Sequence, residues 1–365
     1  MAYNLAKELS KQFNVVLLSL RDGPLIDAFR DVATEVWTPR RGLPKHQRAA
    51  LAIKALSIGR SLRFAILNSA MSHPVADALA QNRVPMVTLV HEFVAYLALD
   101  ETLKRLFKQS DALVFEAPLT EQDAARRIGF PPNTLVRVYP QGHCVLPGAG
   151  APDAERKRDL SDRIRPQGQD GSIVVLGVGG AEYRKGIDLF VQTAALARRL
   201  APDLPWRFVW IGFGLTQIVQ NDFRLYILDQ IDRSGVADIV TLVPPTSELT
   251  TAYHLADAVF QSSRLEPLGN VGIDALAYGL PVFCFDRAAG IVDLLQEADL
   301  SDICVAPYLH TTAMAEKLVA WARSPEAQAK AASLAPKLVE SHLRFDDYAA
   351  KLTDLAETVI ASRTT

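Results

Sequence analysis

The sequence predicts an α/β protein built from two doubly wound halves. Short apolar runs of strand length alternate with helical patterns through the first half, a turn-rich stretch interrupts them near residues 147–171, and the alternation then restarts. Continuous apolar strands separated by helices indicate parallel sheets covered on both faces. At 365 residues the chain holds two domains of ordinary size.

The elements follow in order. Tyr3 to Gln12 reads as an amphipathic helix and Val15 to Leu20 as a buried strand. Phe64 to Leu67, Met86 to Val90 and Ala112 to Phe115 repeat the strand pattern, so residues 1–150 make a first domain. Pro147 to Pro152 is turn-rich and Glu155 to Arg165 is charged, which marks 151–170 as a linker. The second domain, 171–344, opens with a strand at Ser172 to Leu176 and a helix within Gly186 to Leu200. A strand at Phe208 to Ile211, a helix at Thr216 to Arg233 and a strand at Ile239 to Val243 follow. Ser247 is placed to cap the next helix, and Pro281 to Phe285 reads as a buried strand holding Cys284. Residues 345–365 form a last amphipathic helix. A doubly wound domain normally opens with a strand and a glycine-rich turn, whereas this chain opens on a helix. The first sheet is therefore expected to show a gap or an unusual edge beside Val15 to Leu20, and an upstream extension to restore a strand there.

Composition narrows the class. The net charge of −2 gives no global attraction to nucleic acid. Cys144, Cys284 and Cys304 are far apart and lie in apolar contexts, which fits neither a disulfide framework nor a zinc site and suits the cytoplasm. No apolar run reaches the roughly 20 residues of a membrane span. Asn4, Lys7, Glu8 and Lys11 interrupt any signal-peptide pattern.

The densest chemistry lies in Ser263 to Pro281. Glu266 falls in a short loop, and Asp274 follows after seven intervening residues, in the first turn of a predicted helix that Asn270 is placed to cap. Small residues before a helix start offer backbone N–H groups and a positive dipole end to an anion, and flanking carboxylates suit hydroxyls. The pattern reads as a site for a sugar attached to phosphate; an ordinary strand–loop–helix–strand unit is the plain alternative. A second motif, Gly177-Val178-Gly179-Gly180-Ala181-Glu182-Tyr183-Arg184-Lys185-Gly186, follows a strand and enters a helix. Its glycines permit close backbone approach, and Arg184 and Lys185 can neutralise a diphosphate. A solvated basic turn is the alternative here.

Together these motifs resemble the retaining glycosyltransferases of GT-B fold, the "glycosyl transferases group 1", whose signature is Glu-x7-Glu and here Glu-x7-Asp. Gly279-Leu280-Pro281-Val282 and Ala289-Gly290-Ile291-Val292 also fit that family, and the likeness runs almost continuously from Val174 to Leu295. The resemblance implies two Rossmann-like domains facing across a cleft, with the last helix returning to the first. It implies that Lys185, helped by Arg184, holds the donor diphosphate; family members often carry an Arg where this chain has Gly180. Gly212 falls in the turn beside the nucleotide, and Val243 and Pro244 in the segment against its base. Backbone groups of Gly269, Asn270 and Val271 hold the distal phosphate. Glu266 contacts the transferred sugar, and Asp274 the ribose. His91, ending Leu89-Val90-His91-Glu92, matches the family's cleft histidine, with Glu92 an equal candidate and hydrogen-bonded structural histidine the alternative.

The implied reaction moves a sugar from a nucleotide-sugar donor to a glycan or lipid-linked acceptor with retention of configuration, in bacterial surface polysaccharide synthesis. The chain has no Asp-x-Asp, so no obligatory metal is expected, and no cofactor is expected beyond the nucleotide-sugar co-substrate. A non-catalytic GT-B module that binds a sugar or partner, and a GT-B epimerase or phosphorylase, remain the alternatives. The basic run Arg40, Arg41, Lys45, His46, Arg48, Lys54, Arg60 and Arg63, interleaved with Leu43, Leu51, Ile53, Leu56 and Ile58, reads either as an exposed helix with a core face or as a surface for peripheral contact with the inner membrane.

Overall fold

The structure, a computed structural model, describes residues 1–38, 44–59, 61–147, 153–212, 214 and 223–364. The chain divides into two compact units, Met1–Gly148 with Leu343–Thr365, and Ala149–His342.

In the first unit, β1 (Val16–Leu18) and β2 (Glu35–Trp37) pair in parallel as a separate two-stranded sheet. Strands β3 (Ala65–Leu67), β4 (Met86–Val90), β5 (Ala112–Phe115) and β6 (Leu135–Val138) form a four-stranded parallel sheet in that order. Among the described residues no ladder joins β1 to the larger sheet, so the sheet is broken beside β1. Period-2 alternation of side chains explains why every residue of β4 and β5 is buried. Met86, Val90, Leu113 and Phe115 face one apolar core. Val87, Leu89, Ala112 and Val114 face the other, which the helix Phe345–Thr364 fills with Tyr348, Leu352, Leu355 and Val359. The chain returns to this unit through a close backbone contact. His143 N–H donates to the Leu343 carbonyl at 2.7 Å, and a Cβ on Gly142 would lie 2.3 Å from the Phe345 Cα.

The second unit carries β7 (Ile173–Val178), β8 (Trp206–Ile211), β9 (Val240–Val243), β10 (Ala258–Gln261), β11 (Val282–Phe285) and β12 (Val305–Ala306). They form one parallel sheet ordered β12-β11-β10-β7-β8-β9. The winding direction reverses between β7 and β10. That reversal opens a crevice beyond the carboxyl ends of these two strands, the general binding position of open α/β sheets. Phe190, Phe208, Trp210, Phe260 and Phe285 knit the core, with Phe190 edge-on to Trp210 at 5.2 Å and stacked on Phe260 at 5.9 Å.

Several sequence expectations are corrected. Residues 154–164, assigned to the linker, form a helix whose Leu160 and Ile164 are buried. Arg207 fixes it to β8 by donating to the carbonyls of Arg163 and Ile164, and burial pushes that guanidinium below its ordinary range. Ser247 does not cap the helix Leu249–Leu255; the capping residue is Glu248, without a side-chain bond. The helix predicted over Thr216 to Arg233 is described from Phe223 onward. Of the basic run, Arg40, Arg41, Leu43 and Arg60 lie outside the described residues. The helix Lys45–Leu56 buries Ala49, Ala52, Ile53 and Leu56 and exposes Leu51, while Arg63 pairs with Glu357 at 2.7 Å. No helix among the described residues is long and apolar enough to cross a membrane.

Candidate active site

Two loops leave the switch point of the second sheet, one after β7 and one after β10, and polar contacts stitch them together. Arg264 donates its backbone N–H to the Arg184 carbonyl at 2.8 Å, and Ser262 Oγ donates to the Lys185 carbonyl at 3.2 Å. The Arg264 guanidinium forks onto Asp188 at 2.7 and 2.8 Å and lies 3.8 Å from the Tyr183 ring centroid. Its bond to Asp188 holds it above the ordinary guanidinium range. A bidentate, aromatic-stacked arginine fixes a loop in orientation as well as position. Gly186 completes the junction. It sits at φ +68, and a Cβ there would lie 2.0 Å from the Ser262 carbonyl oxygen. Only glycine satisfies both the left-handed backbone and the contact.

The junction brings Lys185 to Glu266, Nζ to Oε2 at 2.6 Å. The same carboxylate oxygen accepts from Ser263 Oγ at 3.0 Å and lies 3.5 Å from Arg184 Nη1. Arg184 donates through Nη1 to the Leu265 carbonyl at 2.9 Å. Glu266 is held by its backbone as well: its N–H donates to Ala288 O at 2.8 Å, and its carbonyl accepts from Gly290 N at 3.0 Å. With 8% of its surface exposed, it is a buried carboxylate surrounded by positive charge.

A cavity of about 200 Å³ opens here, and its wall includes Lys185, Gln261, Glu266, Gly269, Asn270 and Val271. Gly269, at φ +95, is the residue before the helix Asn270–Ala277, so it and not Asn270 takes the capping position. The N–H groups of Gly272 and Ile273 close onto the Gly269 carbonyl. The helix start, with its positive dipole end, thus borders the cavity. Asp274 is not in the first turn; it is the fifth residue of this helix. Burial and the Asp274 charge together push the Tyr253 phenol upward.

The structure therefore assembles Lys185, Glu266, Gly269, Asn270 and Val271 in one cavity, with Arg184 reaching Glu266 from its edge. Gly212 packs against the same glycine loop, since a Cβ there would lie 1.7 Å from the Gly179 carbonyl oxygen. Gly180 turns that loop by accepting from Glu182 N–H at 2.8 Å. Val243 ends β9, its carbonyl accepting from Gly212 N at 3.1 Å, and Pro244 follows it. Asp274, Gly180, Gly212, Val243 and Pro244 do not line the cavity itself. Phe213 lies outside the described residues.

His91 belongs to the first unit, just beyond β4. Its Nδ1 pairs with Glu116, which follows β5, and both side chains are largely buried. That pairing orients the ring and leaves Nε2 as its other hydrogen-bonding atom. Glu92 organises backbone instead: it accepts from the N–H groups of His91 at 3.0 Å and Ala70 at 3.3 Å, and from the Ser69 hydroxyl. Sequence reasoning passed over Glu116 and Gln261, and gave Ser263 and Arg264 no role within the motif they begin. The available signal was a polar residue directly after an apolar strand, as in Phe115-Glu116 and Phe260-Gln261. Among the described residues no group of three or more His, Cys, Asp or Glu side chains converges as a metal site.

Curated relatives include D-inositol 3-phosphate glycosyltransferases. That of Paenarthrobacter aurescens is 32% identical over 133 residues, covering 36% of this chain and 30% of the relative. That of Rhodococcus erythropolis is 34% identical over 149 residues, covering 39% and 32%. The matched region thus spans about a third of these relatives. Among solved structures, sucrose-phosphate synthase from Thermosynechococcus elongatus superposes with a TM-score of 0.74 at 19% identity, covering 98% of this chain and 92% of that one. Anabaena HepE in complex with UDP-glucose superposes with a TM-score of 0.73 at 16% identity, covering 97% and 94%. Two family models match, Glycosyltransferase Family 4 over residues 1–142 and glycosyl transferases group 1 over residues 161–338. With both halves matched and the fold shared along nearly its whole length, the chain belongs to the group 1 glycosyl transferases and has their GT-B fold.

Proposed function

We propose that the protein transfers a sugar from a nucleotide-sugar donor to a glycan or lipid-linked acceptor. The observation that carries this reading is the convergence of a lysine, a buried carboxylate and a helix start on one cavity at the switch point of the second sheet. Cation and helix N–H groups suit a diphosphate, and the carboxylate suits sugar hydroxyls. The solved neighbours in complex with UDP and with UDP-glucose support a UDP-sugar as donor.

In this reading Lys185 and Arg184 neutralise the diphosphate as it departs. The N–H groups at Asn270 and Val271 hold the distal phosphate, and Glu266 holds the sugar as positive charge grows at its anomeric carbon. Asp274 serves the ribose, with Val243 and Pro244 near the base. The anomeric C–O bond breaks and its electron pair goes to the phosphate oxygen. The acceptor oxygen bonds to the same face of the sugar, and its proton passes to that phosphate oxygen. Configuration is retained, and His91, oriented by Glu116, serves the reacting sugar. Positive charge supplied by the protein makes a metal unnecessary, so transfer survives excess EDTA. Three free thiols fit a cytoplasmic enzyme. Exposed Leu51 and Ile58, on the segment that carries Lys54, fit peripheral contact with the inner membrane, where lipid-linked acceptors of surface polysaccharide synthesis lie.

A non-catalytic binding module is the second reading, favoured by the broken sheet beside β1. A thermal-shift screen over UDP-, GDP-, ADP- and dTDP-sugars, followed by product analysis on the best binder, separates them. Stabilisation with slow donor hydrolysis or transfer supports the enzyme; stabilisation with no turnover supports a sugar-binding module; no stabilisation overturns the nucleotide-sugar reading.

A further inference from the structure

Gln261 ends β10 and lines the cavity assigned to the donor. It is 7% exposed, and neither its amide nitrogen nor its amide oxygen has a hydrogen-bond partner among the described residues. Buried amides are nearly always paired, so one lining a cavity is a marker of what enters there. Two glycines make room for it. A Cβ on Gly269 would lie 2.7 Å from Nε2, and one on Gly272 would lie 2.7 Å from Oε1. A Cβ on Gly269 would also lie 3.0 Å from the Glu266 Cγ, so Gln261 and Glu266 flank the same glycine.

The chemistry selects among the parts of a donor. A phosphate oxygen accepts hydrogen bonds and satisfies only the NH2 half of the amide. A hydroxyl donates and accepts, and satisfies both halves. Glu266 beside it offers carboxylate oxygens, one of which already accepts from Lys185 and Ser263. The two side chains together therefore complement neighbouring hydroxyls on a ring. We propose that Gln261 reads a hydroxyl of the transferred sugar and, with Glu266, sets which sugars the site accepts. The proposal rests on the donor reading given above and assigns the discriminating residue within it.

Gln261→Leu keeps the size and removes all hydrogen bonding, and Gln261→Met is a second such variant should the first fail to fold. Calorimetric titration with UDP, UDP-glucose and UDP-galactose is run on the parent and both variants. In the variants UDP affinity is expected to stay within about twofold, while the extra affinity for the preferred UDP-sugar falls about tenfold and the preference between the two sugars flattens. The melting temperature without ligand is expected to hold or rise, because an unpaired buried amide has been replaced by an apolar group. Variants that fold and keep the parent's sugar preference overturn the proposal and leave the donor reading standing. An equal loss for UDP and UDP-sugar also overturns it, since that pattern assigns Gln261 to the nucleotide. A parent that binds neither UDP nor any sugar nucleotide overturns the donor reading and this inference together.

Discussion

Lys185→Ala tests the centre of the site, and the structure sets its size. Lys185 is bonded to Glu266 at 2.6 Å, and its side chain is only 19% exposed, so solvent screens the pair weakly. Removing one partner of a buried ion pair costs about 3–5 kcal/mol when the other is left alone. Glu266 is not left alone, because Ser263 Oγ at 3.0 Å and Arg184 Nη1 at 3.5 Å remain. The expected loss is that of one charged hydrogen bond, about 1.5–3 kcal/mol. For a domain of this size it lowers the melting temperature by about 3–12 °C. In the proposed reading the same lysine meets the donor diphosphate, so the Kd for UDP is expected to rise about 10- to 150-fold. Arg184→Ala is the control. Its side chain is 43% exposed, and its loss costs under about 1 kcal/mol. Differential scanning fluorimetry and titration with UDP read both quantities. A Lys185→Ala protein that melts and binds UDP like the parent, or that is outdone by Arg184→Ala, refutes the assignment.

Gly186→Ala forces a left-handed alanine into the Ser262 carbonyl, and strain plus clash is expected to cost at least about 2 kcal/mol and to abolish UDP binding with the rest of the fold intact by circular dichroism. Burial, reinforced by Glu297 and Asp286, pushes the Asp293 carboxyl up. Its contribution to stability is thus present below the unfolded carboxyl range and lost as pH rises through the folded value, so Asp293→Asn stabilises at pH 7, a gain that melting curves show shrinking toward pH 4. Cys284 and Cys304 are buried thiols raised by desolvation, Cys304 to about 12, so mass spectrometry after brief iodoacetamide treatment finds the label on Cys144. Glu266→Gln is expected to lower sugar transfer by at least about 100-fold while UDP affinity stays level or rises, because it frees Lys185 while removing charge needed in the transition state.

Much of the architecture was legible because the strands that build it are buried on both faces. Val174 to Leu176, Phe208 to Ile211 and Val282 to Phe285 are continuous apolar runs, and such runs have few other destinations. What escaped was short or half-buried. Strand β2 is three residues, Glu-Val-Trp, none fully buried, and β6 carries an exposed Arg137. The helix 154–164 escaped because it is almost all charge, with only Leu160 and Ile164 marking its inner face, four residues apart. Capping was misplaced by one residue because Asn270 has the better intrinsic preference, whereas the tight turn demanded positive φ and went to Gly269.

The site was legible as two motifs, and its central contact was not. Lys185 and Glu266 are 81 positions apart, and no local pattern states that they touch. Their meeting follows from strand order: β7 and β10 are neighbours only because the sheet reverses its winding between them. Once they are adjacent, the loops that leave them must share one crevice, and Gly186 and Arg264 set the spacing within it. The resulting ion pair has a consequence for ligand binding. In the proposed donor reading an incoming diphosphate also needs the lysine that this carboxylate neutralises, so the phosphate and Glu266 compete for one cation. The competition eases when Glu266 gains other partners, and sugar hydroxyls are such partners. A donor carrying its sugar can therefore satisfy Glu266 and release Lys185 at once, whereas a bare nucleotide leaves the two acids facing each other. On that reading, recognition of the sugar and of the diphosphate would be coupled through the single Lys185–Glu266 bond.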